Sequence, residues 1–372
     1  MVQRVLAVVV MVVLGSSFTP VITTASPAAS PRAIQSAIDI SWIPDVEKTG
    51  TKFKNKNGQV IDPIKLMAKA GIEYGRIRVF TSNQLGHGTI TRALKLAKRL
   101  KAEKRKVILD FHLSDVWADP ANQSIPSAWS NTDSELLKQQ MQDYLESSLL
   151  KFRRAGVVPD VVQVGNEIGN GFLWPLAQIN SNDSLQWEAF VELYNAGVAA
   201  VRTASPNSKI LLHLHQPNAG WLEWWWNNAQ SAGIVDVDFV GVSYYPNWHG
   251  DIAELTAGLE FLAVEAQQKV WIVETAYPWT RYTFGNDVIN PRSAKLPGFQ
   301  LSPIGQSAFI TALQKQMREL PNNRGVGIAW WEGLSPNAYG RGFEYKLGMQ
   351  NSTLVNAKAK ALIGLYVLGK GK

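Results

Sequence analysis

The chain has no cysteine among its 372 residues. That absence excludes disulfide staples, a thiol nucleophile, thiolate zinc sites and a lipidated cysteine anchor. A domain of this size folds without cross-links if its apolar core is large enough, and 46% hydrophobic residues supply one. Long hydrophobic runs are equally scarce. Residues 5–14 are unbroken and apolar, but they fall short of the roughly 20 residues a membrane span requires. No strand-to-helix turn carries a Gly-x-Gly-x-x-Gly phosphate loop. Nothing has the pattern of an RRM, a zinc finger or a helix-turn-helix array, so no nucleic-acid partner is expected.

The first residues have an order of their own. A short basic start is followed by the apolar run and then by a Ser/Thr/Ala-rich exit, with Thr23 and Ala25 placed like the small residues of a cleavage site. This is the pattern of a secretory signal peptide over residues 1–25, with an N-terminal anchor as the alternative. SPAASPRA, residues 26–33, forms a linker with no core-forming pattern. The expectation is a secreted protein, extracellular or periplasmic, with no membrane association after cleavage. The net charge of +7 is densest in KLAKRLKAEKRK, where Leu96 and Leu100 recur at helical spacing. A solvated helix face explains that stretch better than an anion-binding patch.

Beyond the linker, short β-rich runs alternate with longer segments of helical period. The runs occupy residues 37–41, 74–80, 106–112, 161–166, 210–215, 239–244, 270–274 and 326–331. Segments such as SELLKQQMQDYLESSLLKFRRAG lie between them and end near glycine or polar turns. Eight strands each followed by a helix predict an α/β fold, a single-domain (β/α)8 TIM barrel over residues 34–372.

The strand ends carry the chemistry. Arg76 and Arg78 lie on the second strand and His112 ends the third; Asn166 and Glu167 end the fourth. His213 and His215 mark the fifth, Tyr244 and Tyr245 the sixth, Glu274 the seventh, and Trp331 with Glu332 the eighth. In a barrel these tips converge on one face. Glu167 and Glu274 would then flank one bond. One protonated carboxyl to assist a leaving oxygen and one ionised carboxylate to attack a sugar make a retaining glycosidase, at a separation of roughly 5 to 5.5 Å. Arg76 or Arg78 beneath Glu274 would keep it ionised, and Asn166 suits a donor to the sugar 2-hydroxyl. Taken alone, Glu167 reads first as a helix N-terminal glutamate completing a cap, and it is Glu274 three strands later with the arginine pair on the second strand that turns the reading to catalysis. Fourteen tryptophans add planes on which sugar C–H faces stack. WLEWWW, residues 221–226, is expected to pack rather than bind.

These stretches together resemble the arabinogalactan endo-β-1,4-galactanases, glycoside hydrolase family 53. The matching strings are DISWIPDVEKTG, GRIRVF, DFHLSDVWADPANQSIPSAW, PDVVQVGNEIGNGFLWP, DFVGVSYYPNWHG, VETAYPW and WWEG, spread over residues 37–335. The resemblance implies Glu167 as acid/base and Glu274 as nucleophile, with Asn166 at the 2-hydroxyl. It implies that Arg78, His112 and Tyr244 hold the nucleophile and the sugar. Asp39, Asp115, Trp117, Trp174, Trp248, His249 and Trp331 would line subsites, while Asp119 and Gln123 read equally as residues fixing their loop. The implied substrate is unbranched β-1,4-galactan of pectin, cut internally by a monomer. No cofactor is expected. Asp287 and Asn290 offer oxygen atoms of the kind calcium takes, although no loop has EF-hand spacing. The strand-five end HLHQPNAGW departs from the family pattern. Two other readings stand beside this one: a β-mannanase or β-glucanase on the same barrel, and a carbohydrate-binding barrel without catalysis.

Overall fold

The computed structural model describes residues 33–180, 182–235, 237–284, 287–291, 298–336 and 348–371. The expected signal peptide, and the linker apart from Ala33, lie outside them.

Eight parallel strands close a barrel. They are β1 (Gln35–Asp39), β2 (Tyr74–Val79), β3 (Lys106–Phe111), β4 (Val161–Val164), β5 (Lys209–Leu214), β6 (Phe239–Tyr244), β7 (Val270–Thr275) and β8 (Gly325–Trp330). Each pairs with its sequence neighbours, and β1 closes on β8 with Ala37 opposite Ala329. Helices α1 (Pro63–Ala70), α2 (Ile90–Ala102), α3 (Ser134–Arg154), α4 (Ser184–Ala204), α5 (Ala219–Ser231), α6 (Ile252–Val264), α7 (Pro303–Glu319) and α8 (Ile363–Lys370) follow the strands in turn. This is the (β/α)8 barrel that the alternating pattern predicts. The first seven helices start on Asp, Thr, Asn or Ser side chains that accept from their own first-turn amides. Those donors would otherwise be orphaned. In α2 the expected solvated basic face is present: Leu96 and Leu100 are buried, Arg99 pairs with Glu47 and Asp62, and Lys101 pairs with Asp160.

Alternation along the strands sorts the barrel interior into layers. Ala37, Tyr74, Ile108, Val161, Leu211 and Trp271 fill the lower interior as one apolar cluster. Two residues further along the same strands come Asp39, Arg76, Asp110, Gln163 and His213, all buried. A buried charged layer is costly unless each charge is paired. Arg76 meets Asp110 at 2.9 Å and Glu274 at 2.8 Å.

One irregularity aims the site. Between Ile272 and the end of β7 the strand carries one more residue than either neighbour: Val242–Ser243 on β6 spans Ile272–Glu274, and Ile328–Trp330 on β8 spans Ile272–Thr275. Val273 already packs in the interior cluster, so strict alternation would turn Glu274 outward. The extra residue turns it in, as bulges beside active sites do.

Candidate active site

Glu274 is 5% exposed and held on both oxygens. Arg76 Nη1 donates to Oε1 at 2.8 Å, and the Tyr245 hydroxyl donates to Oε2 at 2.9 Å. Burial pushes the Glu274 carboxyl up from its ordinary value, and the Arg76 charge and the Tyr245 hydrogen bond oppose that rise. Arg76 also donates to Gln163 Oε1 and, at 3.0 Å, to Asn166 Oδ1. Asp110 and Glu274 keep Arg76 charged although burial works against it.

Glu167 follows β4 in a left-handed backbone conformation, φ +52° and ψ +43°. Few side chains adopt it, and it re-aims the chain directly after the strand. The Ser243 hydroxyl lies 2.6 Å from Glu167 Oε1, and His213 Nε2 lies 2.9 Å from that hydroxyl. Burial raises the Glu167 carboxyl well above the usual range, and the Glu274 charge adds to the rise. At Glu274 the Arg76 charge is the largest opposing influence, whereas at Glu167 the Ser243 hydrogen bond opposes more than Arg76 does. The two environments therefore differ in kind: Glu274 sits against a guanidinium, Glu167 against neutral groups. Such a difference favours the proton on Glu167 over Glu274. Nearby, burial and the Arg76 charge drive His213 well below its ordinary value, and burial holds His215 and His249 near about 4. All three are neutral at neutral pH.

Both glutamates open into one cavity of 510 Å³, walled by Trp117, Trp248, Trp331, Tyr245, His215, His249, Asn166 and Asp119. Its size suits a small number of sugar units. Trp248 is 54% exposed at the rim. Asn166 donates Nδ2 to Ala118 O at 2.9 Å, which fixes the orientation of its amide.

The family model described as "Glycosyl hydrolase family 53" matches residues 35–368. The chain belongs to that family. It is 33% identical over 305 residues to "Endo-beta-1,4-galactanase" of Bacillus subtilis, covering 79% of this chain and 68% of that one. It is 31% identical over 308 residues to "Arabinogalactan endo-beta-1,4-galactanase" of Cellvibrio japonicus, covering 79% and 78%. Among solved structures, the "Ignisphaera aggregans GH53 catalytic domain" superposes with a TM-score of 0.84 at 29% identity, over 94% of this chain and 99% of that one.

Within this family 53 barrel, the residues expected at the site divide into three groups. Glu167, Glu274, Asn166, Trp117, Trp248, His249 and Trp331 line the cavity together. Asp39, Arg78 and His112 are buried and do not line it. Arg78 pairs with Asp39 at 3.1 Å, and its guanidinium carbon lies 4.4 Å from the ring centre of Trp117, 4.9 Å from Trp42 and 5.2 Å from Trp331. It thus braces the aromatic wall, and Arg76 is the arginine that meets Glu274. His112 accepts from Ala118 N at Nδ1 and faces Asp110 with Nε2. The third group stands apart. Asp115 is occupied by Thr81 and Ser127. The indole of Trp174 donates to Asn170 O. Tyr244 stacks on Phe309 and donates to Gly250 O, so Tyr245 is the tyrosine that reaches Glu274.

The loop residue Gln123 donates to the carbonyls of Asp119 and Asn166 and so ties the loop to the strand-four end. In residues 221–226, Trp225 and Trp226 are buried and Trp221 packs on His215 at 4.7 Å. Gly169 makes room there, since a Cβ would lie 2.3 Å from the His215 ring. Asp287 accepts from the amides of Phe284 and Asn351. Among the described residues, no group of three or more His, Asp or Glu gathers as a metal set, and no helix is long and apolar enough to cross a membrane.

Tyr245 follows by period-two alternation only once the inward face of β6 is known: Ser243 points inward at Glu167, which puts Tyr245, not Tyr244, on the inner face. Sequence reasoning had no means to choose Arg76 over Arg78, because both point inward from one strand.

Proposed function

We propose that this chain is an endo-acting β-1,4-galactanase that cleaves with retention. The observation that carries the reading is the unequal support of two carboxyls in one cavity: Glu274 clamped by Arg76 and Tyr245, Glu167 desolvated beside neutral partners. Glu274 attacks the anomeric carbon while Glu167 gives its proton to the departing glycosidic oxygen. The bond to the leaving sugar breaks and a glycosyl–Glu274 ester forms. Water then yields a proton to Glu167 and attacks the same carbon, which releases Glu274 and restores both groups. Asn166 would meet the 2-hydroxyl from the cavity wall, where Trp117, Trp248 and Trp331 would take the faces of the sugar rings. The names of the Bacillus and Cellvibrio relatives support galactan as the polymer. Export through residues 1–25 fits a polymeric substrate met outside the cell.

The test is product analysis on unbranched β-1,4-galactan against mannan, xylan and β-glucan. Short galacto-oligosaccharides released from galactan alone, with the β-anomer formed first by NMR, support the reading. Preferential attack on mannan or β-glucan would replace it with another glycanase, and binding without cleavage would replace it with a sugar-binding barrel.

A further inference from the structure

The acid Glu167 stands at the end of a buried row that the reaction above does not use. Ser243 Oγ lies 2.6 Å from Glu167 Oε1 and 2.9 Å from His213 Nε2, and both Ser243 and His213 are fully buried. At the other side of the ring, three groups approach His213 Nδ1: Gln163 Nε2 at 3.1 Å, the Glu167 amide at 3.3 Å and Asn166 Oδ1 at 3.0 Å. The neutral ring carries one hydrogen, so its tautomer decides which partners are served. With the hydrogen on Nδ1 only Asn166 Oδ1 gains, an oxygen that already accepts from Arg76 and Gln163. The Glu167 amide, a partly buried donor, would then lose its partner. With the hydrogen on Nε2, Nδ1 accepts from that amide and Nε2 donates to Ser243. The serine oxygen is then served, and its own hydrogen is free for Glu167.

We propose that His213 and Ser243 form a one-way donor chain, His213 Nε2–H to Ser243 Oγ–H to Glu167 Oε1, which confines the acid's transferable proton to Oε2. An oxygen that accepts from Ser243 is a poor seat for the proton, so the proton sits on the oxygen left for the leaving group. Ser243 and His213 are positioning residues. They touch no reacting atom and act through Glu167, and the inference rests on Glu167 being the acid.

The experiment compares two substrates in Ser243→Ala: galactan, whose sugar leaving group needs a proton, and a dinitrophenyl galacto-oligoside, whose leaving group does not. The chain predicts a fall in kcat/KM of about tenfold or more on galactan, a change within about twofold on the aryl substrate, and recovery in Ser243→Thr. In parallel, ¹⁵N NMR of the unaltered protein, with the signal assigned by its loss in His213→Gln, should show Nε2 protonated and Nδ1 bare. Equal losses on both substrates, or a ring protonated on Nδ1, overturn the donor chain. Glu167→Ala is the control for the underlying reaction. If it shows no difference between the two substrates, the acid assignment itself fails, whatever Ser243→Ala does.

Discussion

Arg76 is the side chain on which the charge balance of the site turns. It joins Asp110, Glu274 and Asn166 from a fully buried position, and it is what opposes the rise that burial imposes on Glu274. Arg76→Ala should therefore let Glu274 hold its proton to higher pH. The acid limb of the kcat/KM profile moves up, and activity at a fixed mildly acidic pH falls by about a hundredfold. Arg76→Lys keeps a charge and moves the limb less. A pH–rate series on the three proteins measures this; an unmoved limb in Arg76→Ala would mean that Glu274 is not the ionising nucleophile. Glu332 is a second test at this scale. Buried at the end of β8 beside Trp42, it accepts the Trp42 indole at 2.7 Å, and burial raises its carboxyl from 4.5 to about 7. A raised carboxyl favours the fold while protonated, so its contribution is present below pH 4.5 and is lost as pH rises through 7. The loss is on the order of 3 kcal/mol. Glu332→Gln stays neutral and should show a smaller fall in denaturation midpoint between pH 4.5 and 7 than the unaltered protein.

At the scale of elements, the β7 bulge decides more than any single contact, because it turns Glu274 into the cavity. It was not legible in the sequence. WIVET is apolar on both faces, as a barrel strand covered by helices must be, and a run without alternation carries no mark of an inserted residue. The eight strands and their order were legible, since turn residues and helical periods punctuate them, although β1 spans Gln35–Asp39 rather than residues 37–41. The two glutamates and Asn166 were legible as polar ends of apolar runs. The partners of those groups were not: Tyr245 and Ser243 become visible only once the inward face of β6 is known, and the hydrogen bonds from Thr81 and Ser127 that hold Asp115 only once the loops are placed. The helices set a contrasting expectation. Asp251 and Glu254 form a reciprocal capping box at the start of α6, and neither lines the cavity. Asp251→Ala should cost about 1 kcal/mol, seen as a lower thermal midpoint, and leave kcat on galactan within error. A change in kcat would show that the α6 start is coupled to the cavity.

For the whole molecule, the barrel brings together carboxyls separated by more than a hundred residues of chain and gives each a different surrounding. An apolar floor, a paired charged layer and an aromatic mouth follow one another along the axis. Desolvation by the lower layers raises both acids, and the placement of one guanidinium separates them. A bell-shaped pH–rate profile is the expected result, with its alkaline limb above the ordinary carboxylate range and absent in Glu167→Ala. The most direct measurement is to trap the glycosyl intermediate with a galactoside fluorinated beside the anomeric carbon and map the labelled peptide by mass spectrometry. One sugar on Glu274 and none on Glu167 is the predicted result. A label on Glu167, or no label while the enzyme turns over with inversion, would contradict the roles assigned to the two carboxyls.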